Sequence, residues 1–203
     1  MTEPTQRGTI VRMGLLGAIA VPVLYFGAQI AAAPSYPGYS FARDSASSLG
    51  TSASAHPWIF NVGAILTGIT ALPAAIGLYL ALRTSANRLV AWLNGLALVA
   101  TGVMSVKAGL FPLPDPRHAS WGFLTWFTIA MPVLLLIAVW PRREATGLRV
   151  YLGASIVLIL LLFPVLSGIL LFGELQPGTL QRLFALATFV PVGVVGYSLR
   201  REL

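Results

Sequence analysis

The chain has 203 residues, of which 57% are hydrophobic and 9% charged, with a net charge of +7 and no cysteine. A soluble domain carries roughly 25% charged residues, so this composition cannot clothe a water-facing globule; it excludes a soluble enzyme, a disordered regulator and a nucleic-acid reader. The basic residues stand singly or in pairs between apolar runs instead of forming a patch, and the lack of thiols removes disulfides, thiolate metal sites and a cysteine nucleophile.

A bilayer core about 30 Å thick is crossed by roughly 20 apolar helical residues. The first such stretch is Val11–Ala33. Its end, Ala31-Ala32-Ala33, has the small residues of a signal cleavage site, but the run exceeds the usual signal core and Pro34 would follow the cut, so it is kept as a helix. Residues 34–56 form a long connection with seven serines, Arg43, Asp44 and His56, in which Asp44–Gly50 reads as a short surface helix. The second span is Pro57–Leu82 and the third Leu89–Leu110.

On the third span Ala91, Gly95, Gly102, Ser105 and Gly109 share one face, a small-residue seam predicted to meet a neighbouring helix. Lys107 is the one ionisable residue well inside a span and lies roughly 160° round the helix from Ala91. Its ammonium either snorkels to headgroups or enters a pocket where Asp44, Asp115 or Glu174 neutralises it. After this span, the prolines of Phe111-Pro112-Leu113-Pro114-Asp115-Pro116-Arg117-His118 stiffen the backbone that presents Asp115 and His118.

The remaining spans are Ala119–Trp140, Leu148–Phe172 and Leu180–Leu199. Strand alternation is absent, so the expected fold is an all-α integral membrane bundle of six transmembrane helices, one domain over residues 1–203. Pro22, Pro73, Pro132, Pro164 and Pro191 lie inside spans and tend to bend them. The similar settings of Pro22 and Pro132 fit an inverted repeat, and low complexity accounts for them equally.

Basic residues set the orientation. Arg7, Arg12, Arg83, Arg88, Arg142, Arg143, Arg149, Arg200 and Arg201 fall on the side of the termini, and only Arg43, Arg117 and Arg182 on the other. Both termini are therefore expected in the cytoplasm, with the protein in the cell membrane. Trp58, Trp121, Trp126 and Trp140 fit an interfacial aromatic belt.

The chemistry then gathers outside: Asp44, His56, Asp115, Arg117, His118, Glu174 and Arg182. His56, His118 and a carboxylate lack the spacing of a metal site, and two histidines alone do not make a haem site, so no metal and no cofactor is assigned. Serine hydrolysis needs Ser45, Ser47 or Ser48 beside a histidine and a carboxylate, and no Gly-x-Ser-x-Gly elbow is present. Polar helix caps, or a polar pocket that binds without chemistry, account for the same residues.

Six spans, Ser48-Leu49-Gly50 in the first external loop, and Phe111-Pro112 followed by Asp115 and His118 resemble the bacterial and archaeal membrane family catalogued as domain of unknown function 998. Members often carry an acidic residue between the Ser and Leu-Gly positions, which Ser47-Ser48-Leu49-Gly50 lacks. The resemblance implies a shared external site at Ser48, Asp115 and His118 and no particular reaction.

Three functions follow as expectations. The first is binding or transport of a lipid or small amphipathic molecule at the external mouth, through Lys107, Asp115, His118, Asp44, His56 and Glu174. The second is a membrane-embedded hydrolase or transferase acting on lipid with His118, Asp115 and Ser48. The third is a structural subunit whose seam recruits a partner helix or a second copy. The partners expected are membrane lipids, with no nucleic acid.

Overall fold

The computed structural model describes residues 6–84, 86–142, 144–166 and 176–203. Among them are six α-helices: α1 (Gln6–Ala32), α2 (Trp58–Leu82), α3 (Arg88–Leu110), α4 (Thr125–Val139), α5 (Thr146–Leu166) and α6 (Pro177–Arg201). All six, α4 together with a preceding 3₁₀ turn, are long and apolar enough to cross a membrane. Helix is the form that satisfies every backbone group within one segment when hydrocarbon is the solvent. Large apolar side chains such as Val23, Ile30, Ile69, Ile76, Leu160 and Leu161 face outward, as lipid permits and water does not. The chain is a multi-pass membrane protein.

Four helices, α1, α4, α5 and α6, differ from the expected spans by more than one residue. α1 begins at Gln6 rather than Val11, and α6 runs from Pro177 to Arg201 rather than from Leu180 to Leu199. α5 begins at Thr146, and the expected continuation to Phe172 lies outside the described residues, as does Glu174. The fourth span is the instructive case. Residues 119–121 are not helical, because the connection from α3 continues to Trp121, whose left-handed backbone (φ 63°) turns the chain into the 3₁₀ turn Gly122–Leu124 and then α4.

The helices form a closed ring. α1 packs on α2 and α6, α2 on α3, α3 on α4, and α4 on α6, while α5 lies outside in contact with α4 and α6. At the end carrying the termini, an Arg12 Nη donates to the Leu203 carbonyl at 2.8 Å and Arg142 pairs with Glu202. This half holds the larger core: Leu15, Leu78, Leu82, Leu98, Leu135, Val139 and Leu152 are fully buried in it.

At the opposite, distal end a smaller cluster of Ala32, Ala46, Leu49 and Phe60 seats the 3₁₀ segment Ala46–Gly50 of the long connection. The seam on α3 is spent inside the chain. A Cβ on Gly102 would stand 2.8 Å from the Gly68 carbonyl oxygen and 2.9 Å from Ala71 Cβ of α2, so a side chain there would hold the two helices apart. The seam does meet a neighbouring helix, and that helix is α2. Asn94, fully buried on α3, donates to the Leu134 carbonyl of α4 at 3.0 Å.

Candidate functional site

The distal half is hollow. A cavity of about 260 Å³ lies between α1 (Tyr25), α2 (Phe60, Thr67), α3 (Thr101, Met104), α4 (Thr128) and α6 (Gln181, Thr188), beneath Ala46 and Ser47. Its lining is less polar than its composition implies. Thr67, Thr101 and Thr188 each donate back to the carbonyl four residues earlier, at 2.8, 2.9 and 3.0 Å. With the Thr101 hydrogen so committed, the 2.9 Å Thr101–Thr128 contact is Thr128 donating to Thr101. These four threonines therefore present methyl groups and spare lone pairs, and the Tyr25 and Phe189 rings stack at 4.3 Å.

The distal connection borders this cavity through Ala46 and Ser47 and is clasped to α6. The Ala46 N–H donates to Gln181 Oε1 at 2.7 Å, and the Thr179 N–H to the Ala42 carbonyl at 2.8 Å. Arg182 donates to the carbonyls of Phe41 and Asp44 and to the Tyr39 hydroxyl. Burial pushes the Tyr39 phenol up in pKa, and Arg182 opposes that shift.

A 3₁₀ helix has three residues per turn, so Ser45 and Ser48 fall on one side, Ala46 and Leu49 on a second, and Ser47 on a third. Accordingly Ser45 Oγ and Ser48 Oγ bond one another at 3.0 Å, Ala46 and Leu49 are buried, and Ser47 alone turns to His118, with 3.0 Å between its Oγ and Nε2. His118 Nδ1 lies 2.8 Å from the Phe111 carbonyl oxygen. A carbonyl only accepts, so Nδ1 carries the proton and Nε2 is the acceptor for the Ser47 hydroxyl.

The residues proposed from sequence separate into several places. His118 does not itself line the cavity but bonds Ser47, which does; its side-chain partner is Ser47 and not Asp115 or Ser48. Asp115 instead pairs with Arg117 at 2.7 Å, and those side-chain bonds together with the Arg117 N–H hold its carboxyl down at about 2. Asp44 is paired with Arg43 at 2.9 Å and accepts from the Ser40 N–H, which lowers its pKa as well. His56 is exposed and does not border the cavity. Among the described residues no three of His, Asp and Glu come together.

Lys107 does not take the first expected course, and of the second the pairing with Glu174 lies outside the described residues. It is 6% exposed, so it does not snorkel, and no carboxylate neutralises it among the described residues. Its ammonium turns under the α3–α4 connection, donating to the Arg117 carbonyl at 2.8 Å and Ser120 Oγ at 2.9 Å, with the Trp121 ring centroid 5.6 Å away. It also borders an outer, lipid-facing groove with Leu72, Val103 and Leu110. Lys107 thus fixes the residue immediately before His118.

Ser47 stood among three equivalent serines in the sequence, and only the rotational phase of a 3₁₀ segment distinguishes it. Gln181 carried no local signal, because its partner Ala46 is 135 residues away, and Arg182, read only as an external cation, finds its partners in the distal connection 138 to 143 residues away.

A model of the family described as "Protein of unknown function (DUF998)" matches residues 18–198. The chain belongs to that family. No curated protein and no solved structure matches it. The DUF998 match runs from within α1 to within α6, so the ring, the cavity and both partners of the Ser47–His118 contact all lie within the family's span.

Proposed function

We propose that this DUF998 protein binds one amphiphilic molecule, a membrane lipid chain or a single-chain lipid, with its apolar part in the distal cavity and its polar part beneath Ser47 and His118. The polarity gradient of the cavity carries this reading. The hydroxyl hydrogens of Thr67, Thr101 and Thr188 are turned back onto their own helices and that of Thr128 goes to Thr101, whereas Ser47, bonded to His118, and the Gln181 amide stand at the distal end. Ligand sites are commonly apolar hollows with a few convergent polar groups. The outer groove beside Lys107 is a poorer candidate, since it faces bulk lipid and any acyl chain solvates it.

The seam that was to recruit a partner helix is occupied by α2, which removes the observation behind a structural-subunit role.

Native mass spectrometry of the full chain in detergent tests the proposal. Wild-type protein is expected to retain a lipid-sized adduct, and Ala108→Phe, which places a ring in the cavity, to lose it. Leu110→Phe, on the outer groove, is expected to retain it. Lipid-free wild-type protein, or equal retention by Ala108→Phe, overturns the proposal.

A further inference from the structure

We propose that Ser47 and His118 are a nucleophile–base pair acting on an acyl ester whose chain occupies the distal cavity. The proposal rests on the binding reading above and adds chemistry to it.

A serine hydroxyl is a weak nucleophile until a positioned base takes its proton, and the signature of such a pair is a serine–base hydrogen bond with the base oriented by a third group. All three parts are present. Ser47 Oγ is 3.0 Å from His118 Nε2, and Phe111 holds Nδ1 at 2.8 Å, which fixes the tautomer whose free lone pair faces the serine. The orienting group is a neutral carbonyl where hydrolases commonly use a carboxylate, and Asp115 is engaged by Arg117.

Two further observations separate this contact from an ordinary surface hydrogen bond. Ser47 borders the cavity while its hydroxyl is bonded to His118, which stands just outside the lining. Each partner's segment is also held by further side-chain contacts. The α6 clasp holds the Ser47 segment through Gln181 and Arg182, and Lys107 grips the Arg117 carbonyl next to His118. Gln181 lines the cavity as well, and with Oε1 taken by the Ala46 N–H its Nε2 group is the donor left to face a developing oxyanion.

The chemistry closes without a metal or redox partner. Ser47 Oγ attacks the ester carbonyl carbon as its proton passes to His118 Nε2, and the carbonyl oxygen takes the negative charge. The tetrahedral intermediate expels the alcohol, which receives the proton from Nε2, leaving Ser47 acylated. Water, deprotonated by Nε2, then releases the carboxylic acid and restores the hydroxyl; a second alcohol in place of water gives acyl transfer.

The test uses the full chain in detergent with dodecyl and ethyl fluorophosphonates as probes and peptide mass spectrometry to locate the adduct. A single adduct on Ser47 is expected, forming about tenfold or more faster with the dodecyl probe, and that preference is expected to vanish in Ala108→Phe. His118→Gln is expected to slow labelling about 100-fold or more with unchanged thermal unfolding. Ser47→Ala, which removes one oxygen atom, is expected to abolish it and serves where the histidine variant does not fold. No wild-type adduct, an adduct on Ser48 or elsewhere, or wild-type labelling in His118→Gln overturns the proposal. Retained lipid with no adduct leaves the binding reading standing and removes the chemistry. An adduct on Ser47 formed equally fast by both probes upholds the reactive pair and removes the acyl chain from the cavity.

Discussion

His118 is held from two directions, by the Phe111 carbonyl on one ring nitrogen and Ser47 on the other, while its neighbour Asp115 serves the turn. The Asp115 carboxyl lies at about 2, below its ordinary 3.8, because Arg117 donates to it from both guanidinium and backbone. A depressed folded-state value means the carboxylate contributes stability that is fully present above about 4 and is lost as pH falls through about 2. The fluorescence of Trp121, three residues beyond His118, is therefore expected to hold steady from pH 7 to about 4 on account of this pair and to change between about 4 and 2. Asp115→Asn is expected to remove that step, and a step unchanged in the variant would assign it to another group. Sequence reading found the histidine and the stiff turn but gave the acid a chemical role. Two carboxylates beside arginines in sequence, Asp44 after Arg43 and Asp115 before Arg117, were already paired locally, and that adjacency was the signal to weigh.

The helix pair α2–α3 shows how closely the membrane interior is set by single methyl groups. Gly102 faces the Gly68 carbonyl at a distance that leaves no room for a Cβ, whereas a Cβ at Gly95 would meet Ala75 O at 3.6 Å and Tyr79 Cβ at 3.7 Å, an ordinary contact. Gly102→Ala is expected to destabilise the bundle by about 1–3 kcal/mol, the usual cost of overpacking. Gly95→Ala is expected to be neutral or to stabilise by up to about 1 kcal/mol through helix propensity. Unfolding in mixed micelles of increasing SDS content measures both, and equal destabilisation would show that the seam does not pack as described. The six spans and this seam were legible because hydrocarbon thickness and close helix approach act on local sequence. The start of α4 was not, since residues 119–121 are apolar enough for helix and side-chain bonds from Lys107 to Arg117 and Ser120, with Ser120 bonding Arg117, hold them in the turn. The clasp of the 34–56 connection onto α6 was hidden too, because its side-chain bonds span 135 to 143 residues.

The molecule has two unlike ends. Around the termini lies the larger core, and Arg12, Arg142 and Glu202 tie the chain ends together; at the distal end the ring opens into a cavity bordered by the 3₁₀ segment. Pro22 and Pro191 stand at this change of packing, between the core residue Val21 and the cavity residue Tyr25 on α1, and between Phe189 and Val192 on α6. Which end faces the cytoplasm decides which pool of lipid headgroups and water the Ser47–His118 pair meets, and arginine placement predicts that the end carrying the termini is inside. The chain has no cysteine, so one introduced thiol reports its side without background. Ser52→Cys, at an exposed position of the distal connection, is expected to react with a membrane-impermeant maleimide in intact cells, and Leu203→Cys, exposed at the other end, only after the membrane is opened. The reverse pattern would turn the cavity toward the cytoplasm while leaving the ring of helices intact, because an even number of crossings keeps both termini on one side in either orientation.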